Sequence, residues 1–534
     1  MSKRPINQKA YIYQVKEQNA SAYLTVWLTL CLTIILSLCM TLIDGVRRNG
    51  ARMEVECVTE IGLQSILAEY HRELMKQYNL FAIDASYGTA VCGIANTEAH
   101  LRNYLERNLS YEDIFLAEYM YGDFLALKLK QVELRKVSIL TDNMGIVFRR
   151  DAVKAIEADT GLELLQKIQE WIQVIEVNGL EEGDWEQEKK QLDEEIASYD
   201  GMEVEIEEDV WETLEIHNPT DKLEAQRREG ILKLVLKDED ELSQKILNTE
   251  GLLGNRMELG KVNHGNMPQE ELNTAQQLIE KFLFQEYLLR YMGRYGMEKE
   301  ESSMCYQIEY LIAGKDSDID NLKSAANRIC AVREAANALY LVTNEEKMTE
   351  IRIAAELVCN LITIPELIPL LEAAIILGWA YAESIYDVKS LMAGGRVPLL
   401  KDDDNWHYGL EAALKGELKE APRVEEVQGD LQREGQEDPW GEAVQGDLQN
   451  QELQNEAQKG EGLRYEDYLR IFLMLADTDT ITVRAMNMVE ADIRSTEGNA
   501  AFRLDGCYDS IEAYLQFESH HGYEYEITRQ RCYN

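Results

Sequence analysis

The sequence predicts a mainly α, α+β protein. An N-terminal transmembrane helix extends into a long outer half, a mostly helical body with minor β strands follows, and a β hairpin closes the chain. Three observations carry this reading. Gln18 to Ile43 is a run of 26 residues without a charge, long enough to cross a hydrocarbon core of about 30 Å with some tilt. Only eight prolines among 534 residues, with Glu, Leu, Ile and Ala abundant, favour helix over sheet. Near the end, "SIEAYLQFESHHGYEYEIT" alternates as a hairpin does, turning near His520 to Gly522.

Taken in order, residues 1–17 form a short basic tail and 18–43 the span. A cleaved secretory signal has a shorter apolar region followed by small residues; here "IDGVRR" follows, so the segment reads as an uncleaved anchor. Basic residues flank both ends of the span, Lys3, Arg4, Lys9 and Lys16 before it and Arg47, Arg48 and Arg52 after it; the short basic tail favours an N-terminus in the cytoplasm and a body outside the cell membrane. Residues 44–94 extend the helix and add a first strand. There is no proline from Arg47 to Tyr78, and Leu63, Leu67, Tyr70 and Leu74 recur at helical steps. A continuous helix from Ser21 to Tyr78 would be about 87 Å long, with Gly45 and Gly50 as the places for a break. Asn79 reads as its stop, and Leu80 to Ile83 as a short buried strand. A long helix, half in the membrane and followed by a strand, has a pilin-like outline.

Residues 95–260 read as an acidic mixed α/β region, with solvated helices over 156–216 and an extended piece at "ILKLVLK" (231–237). Residues 261–414 read as a helical core domain. Its most apolar part, 357–392, is not a second span: Glu366, Glu372 and Glu383 interrupt it, Pro365 and Pro369 break it, and its longest uncharged run is ten residues, Ala373 to Ala382. Residues 415–462, rich in Glu, Gln and Gly, contain "VQGDLQ" twice and read as a disordered linker. Residues 463–534 supply the last helices and the hairpin. A turn at 519–522 puts residue 509 opposite 532, which makes Cys507 and Cys532 candidates for a disulfide if a bulge closes the gap, with two buried thiols as the other reading.

Net charge is −43, yet residues 1–52 hold seven Lys/Arg against two acids, leaving about −48 on the other 482. Such an excess repels phosphate backbones and argues against nucleic acid as a partner. No HExxH, GxSxG or GxGxxG occurs, and "AGKDSD" lacks the glycine that a phosphate loop needs five residues earlier. His520 and His521 stand together in a turn, the usual place for solvated histidines. "DASYG" offers Asp84 and Ser86 as weak metal candidates, because an Asp-x-Ser-x-Ser loop of von Willebrand A domains holds Mg²⁺ after a strand. Gly88 replaces the second Ser, and a strand-end turn explains the residues better. No cofactor and no enzyme activity are expected.

"YLTVWLTLCLTIILSLCMTLIDGVRRNGARMEVE" and "LAEYHRELMKQYNLFAID" resemble the N-terminus of a poorly characterised, membrane-anchored family associated with Tad-type (Flp) pilus loci, with an anchor like those of TadE- and TadG-like pseudopilins. "YQIEYLIAGKDSDIDNLK", "REAANALYL", "WAYAESIYDVKSLMAGGRVPLLK" and "YEDYLRIFLMLADTDTITVRAM" look like further blocks of that family. TadE-like anchors usually carry Glu after the Thr-Val pair, and Trp27 stands there; Ala20 stands where a prepilin peptidase expects Gly, so the uncleaved form is expected. The resemblance implies an accessory or pseudopilin-like component that acts by assembly, with the bilayer and the membrane helices of Tad-type components or a second copy as partners. The alternative is an anchored extracellular adhesion or ligand-binding protein. The span itself supplies a packing face: Thr25, Thr29, Thr33, Ser37 and Thr41 recur every fourth residue, forming one ridge along which small residues let two helices approach.

Overall fold

The computed structural model describes residues 8–89, 91–110, 127–156, 162–180, 185–207, 210–213, 220–236, 242–256, 273–299, 301–359, 365–416, 462–520 and 522–533. It opens with a 60-residue helix, α1 (Gln8–Leu67), which passes through Gly45 and Gly50 without a break. From Tyr23 to Ile43 none of its side chains is buried against the rest of the chain, and this is the segment apolar enough to cross a membrane.

The outer half of α1 behaves differently, because Ala51, Val55, Val58, Leu63 and Ile66 are buried. These positions lie on one stripe at helical spacing. They pack, with Leu101 and Leu105 of α3 (Ile94–Leu109), onto an antiparallel sheet. A Cβ on Gly62 would lie 2.7 Å from Leu105 Cδ2, so the glycine sets how closely α1 and α3 approach.

α1 does not run on to Tyr78 as expected. It stops at Leu67, and a second helix, α2 (Arg72–Tyr78), starts after His71. The cause is non-local: Tyr70 forms an isolated bridge with Ile83, the His71 N–H donates to Ala82 O, and the His71 ring accepts from Leu74 N. Leu74 and Tyr78 then enter a different core from Leu63 and Ile66. Asn79 ends α2 as expected, in the left-handed conformation (φ 51°) with its N–H on Met75 O. The following strand is shorter than expected: β1 is Ile83–Asp84 alone.

The sheet is built around the penultimate strand. β2 (Leu127–Ile139) pairs along one edge of β5 (Cys507–Ser519), from Leu127 opposite Ser519 to Ile139 opposite Tyr508. β6 (Glu524–Cys532) pairs with β5 from Glu524 opposite Glu518 to Cys532 opposite Ser510, and β1 joins beyond its end at Tyr508 and Cys507. A strand has two edges, so β6 and β1 share the one that β2 leaves. The expected hairpin is therefore present, closed by Ser519 N–H donating to Tyr523 O.

The body is helical. α4 (Asp142–Ala155) leads into α5 (Leu162–Val177) and α6 (Trp185–Ala197), then the hairpin β3 (Glu203–Glu207) and β4 (Val210–Thr213), and the short helices α7 (Asp221–Glu229), α8 (Ile231–Val235) and α9 (Leu253–Arg256). The extended piece expected at 231–237 is thus largely the helix α8; Ile231, Leu232 and Val235 are buried one helical turn apart. α10 (Thr274–Tyr291), α11 (Gln307–Ala313), α12 (Asp318–Thr343), α13 (Glu345–Cys359), α14 (Ile368–Met392), α15 (Leu410–Leu414), α16 (Tyr465–Leu475) and α17 (Thr478–Ser495) complete it. α14 is a core helix, with Trp379, Ala382, Ile385 and Val388 buried. Apart from residues 415, 416 and 462, the expected linker lies outside the described residues.

Candidate functional site

Three arrangements could carry function: the ridge on α1, the collar where the hairpin meets α1, and an ionic cluster in the body. On the ridge, the hydroxyls of Thr29, Thr33 and Thr41 donate to Val26 O, Leu30 O and Leu38 O at 2.8–2.9 Å. The donor protons are thereby satisfied within the helix, as apolar surroundings require, while the short side chains remain on the exposed surface with Thr25 and Ser37. The ridge is a continuous low strip between exposed Leu and Ile side chains such as Leu30, Ile34 and Leu38.

The collar begins at the first charge beyond the apolar run. Tyr523 Oη donates to Asp44 Oδ1 at 2.9 Å and accepts from Arg48 Nη2 at 2.9 Å; Arg48 in turn pairs with Asp44 Oδ2 at 3.0 Å. The Arg48 guanidinium also lies over the Tyr523 ring, 4.2 Å from its centroid. Further out, Arg531 Nε donates to Glu60 Oε2 at 3.1 Å, and Tyr533 Oη donates to Leu67 O. β6 and the outer half of α1 therefore lie side by side. From Tyr523 to Arg531 a strand advances about 26 Å, and from Asp44 to Glu60 a helix advances about 24 Å, so the two elements keep pace.

The ionic cluster gathers residues from two of the sequence blocks quoted above, with His407 just beyond the second. Arg333 of α12 donates to Asp387 Oδ2 of α14 at 3.0 Å, and Asn337 and Ser384 complete the polar contacts; all are buried. Lys401 Nζ lies 2.6 Å from Asp387 Oδ1 and in contact with Glu383, while His407 Nδ1 is 2.9 Å from Glu383 Oε1. Ligand atoms of Glu383, Asp387 and His407 come within 4.8 Å of one another, the geometry of a cation site. The cation position is taken by the Lys401 ammonium, so the arrangement serves as a two-plus-two charge cluster with Arg333. Burial would raise the Glu383 carboxyl, but the hydrogen bond from His407 and the Lys401 charge outweigh it and hold it below the ordinary carboxylate value.

Two buried carboxyls go the other way. Burial pushes Glu309 up to about 7, against the bonds it accepts from Tyr295 N and Tyr465 Oη. Burial, reinforced by the neighbouring Asp151 charge, pushes Asp509 up to about 7 although Arg150 Nη2 donates to it at 2.6 Å. Both sit away from the collar and support packing between α11 and α16 and between β5 and α4.

The other expected site residues resolve plainly. Asp84 and Ser86 bond each other, with Ser86 N–H on Asp84 Oδ1 and Ser86 Oγ on Asp84 Oδ2, both 2.8 Å: the strand-end turn. The Cys507–Cys532 bridge is not formed. Ser510 rather than residue 509 faces Cys532, and no bulge interrupts that register, so Cys507 is left beyond its reach. The sequence reading missed Asp44, Arg48 and Tyr523 as a set, whose pairing spans most of the chain. It also missed the ionic cluster, for which Glu383 and Asp387, one turn apart in an apolar helix, were the available signal.

Residues 209–519 match the sequence model of DUF5702, described as a family of unknown function. No curated protein and no solved structure matches the chain.

Proposed function

The chain belongs to the DUF5702 family, described as of unknown function; from its anchor and fold, not from that family, we propose that it is a single-pass membrane-anchored component of a Tad-type pilus or secretion system that acts by assembly. The observation that carries this reading is the division of α1. From Tyr23 to Ile43 none of its side chains is buried against the rest of the chain, whereas its outer half is the spine of a helix-on-sheet unit. An exposed apolar segment of this length is stable only against lipid or other membrane helices. That division is also the outline of a pilin-like subunit, which agrees with the anchor's resemblance to TadE- and TadG-like pseudopilins.

The basic tail at Lys3, Arg4, Lys9 and Lys16 supports a cytoplasmic N-terminus and an extracellular body. The body contributes a packed mass, with Arg333, Asp387, Lys401 and Glu383 paired in its interior. The ridge from Thr25 to Thr41 is the face offered to a partner helix.

Gentle detergent extraction of native membranes, followed by identification of what co-purifies, tests the reading. Tad-type platform or pilin subunits in the eluate support it. A protein that elutes alone and instead captures a soluble or surface ligand would support an anchored binding protein and contradict assembly.

A further inference from the structure

Asp44 is the residue that follows the uncharged run, and it is hydrogen-bonded to the tip of the C-terminal hairpin. We propose that this tip, around His520, Gly522 and Tyr523, is a second membrane contact, seated in the phospholipid headgroup layer beside the point where α1 leaves it. The inference rests on reading α1 as a membrane span.

The geometry fixes the depth. At about 1.5 Å per residue, Asp44 to Arg48 occupy the first 6 Å or so beyond the apolar run, which is headgroup depth. Tyr523 contacts both of those residues, so the tip cannot stand higher. The direction is fixed as well: β6 leaves the tip and runs outward beside α1 to Arg531 at Glu60 and Tyr533 at Leu67, so the hairpin points its turn at the bilayer.

The chemistry suits that depth. Tyr523 and Tyr525 are half-buried, and tyrosine, with an apolar ring and a polar tip, favours the membrane–water boundary. His520, Gly522 and Glu524 are exposed beside them. Cations collect at the same end: Arg48 and Arg52 line a cleft with Glu518, Tyr523 and Tyr525. Lys128 stands opposite Glu518, and Lys130 pairs with Glu524 at 2.7 Å. Each of these cations faces a carboxylate, Arg48 at Asp44 and Arg52 at Glu56 included, so the end of the span is charge-balanced within a chain of net charge −43 and approaches anionic headgroups without the repulsion that the acidic body would meet. With α1 crossing the bilayer and the hairpin resting on it, the helix-on-sheet unit has two points of support. Its tilt against the bilayer is thereby restrained, and because α1 is one continuous helix the ridge keeps a fixed direction relative to the body.

The test places a photoreactive benzophenone side chain at His520 in the full-length protein, reconstituted in vesicles of phosphatidylethanolamine and phosphatidylglycerol. Trp27, inside the apolar run, and Ile353, exposed on the body, serve as reference positions. After irradiation, lipid adducts are measured by mass spectrometry. The expected result is adducts at His520 on the scale of those at Trp27, and none at Ile353. Adducts at Trp27 without adducts at His520, or equal adducts at His520 and Ile353, overturn the inference while the anchor stands. No adducts at Trp27 would instead remove the anchor itself, and the inference with it.

Discussion

Tyr523, near the end of the chain, donates its hydroxyl to Asp44, near the beginning, at 2.9 Å, and the same hydroxyl accepts from Arg48. This one contact ties the last hairpin to α1 at the residue where the helix turns from apolar to charged. The sheet that β5 organises is therefore clamped along the helix from Asp44 to Leu67.

Tyr523→Phe removes the donor and keeps the ring. A hydrogen bond of this kind contributes about 0.5–1.5 kcal/mol net, so the global unfolding midpoint should move little. Hydrogen exchange at the tip of the hairpin should accelerate by roughly three- to tenfold, the same energy read locally. Unchanged exchange at Ser519 and Gly522, whose N–H groups close the turn, would mean that the clamp does not depend on Asp44.

Arg333→Met leaves Asp387 buried with only Lys401 as a cation. Removing one partner of a buried ionic group costs about 3–5 kcal/mol. Thermal unfolding of the extramembrane body should therefore show a large loss of stability, with Glu383→Gln costing less because His407 and Lys401 retain other contacts. A midpoint within a degree of the parent for Arg333→Met would contradict the role assigned to the cluster.

The pH dependence has a worked sign. Asp509 and Glu309 titrate near 7 in the fold but near 4 in the unfolded chain. Between those values the unfolded chain gives up its protons first, so stability falls as pH rises from about 4 to 7. Glu466 acts oppositely. Burial would raise it, but Arg470 and Arg294 hold it at about 2, so its contribution is complete above the unfolded value and is lost only as pH falls towards 2. From pH 5 to 8 the first effect is the one that changes. The unfolding temperature should decline over that range, and Asp509→Asn should flatten the decline; an identical slope in the variant would remove Asp509 from the account.

What could be read from the chain follows from which forces are local. A charge-free run and a strict alternation are local, so the apolar helix and the hairpin were legible, the latter to within one residue of register at Cys532. The break at Leu67 was not, because the bridge of Tyr70 to Ile83 and the N–H of His71 on Ala82 decide it. "ILKLVLK" shows the limit of periodicity: its apolar residues fit a buried strand or a buried helical turn equally, and packing in the body selects α8. The collar pairs residues from the two ends of the chain, where neither half carries a signal alone. The ionic cluster was half visible, since two carboxylates one turn apart in an apolar helix require buried cations.

The thiols give an independent check on the register of the sheet. Cys507 is buried and its thiol is pushed well up by burial, whereas Cys57 is exposed and Cys532 half-exposed. In the native protein a maleimide should label Cys57 and Cys532 and leave Cys507 untouched until unfolding. A non-reduced peptide linking Cys507 to Cys532 would contradict the pairing of Ser510 with Cys532.

The most direct measurement concerns the ridge, since assembly through α1 is the central claim. A photoreactive side chain at Thr41, the outer end of the ridge, is crosslinked in intact cells to whatever membrane helix lies against it. Two triple variants are compared: Thr29, Thr33 and Ser37 each changed to Leu, and Leu30, Ile34 and Leu38 each changed to Val. Interhelical hydrogen bonds in membranes average only about 0.6 kcal/mol, so most of the effect should come from filling the strip that lets helices approach. The account predicts normal insertion of both variants, loss of the crosslink in the first and its retention in the second. Equal crosslinking in the two would contradict it and leave α1 as a tether alone.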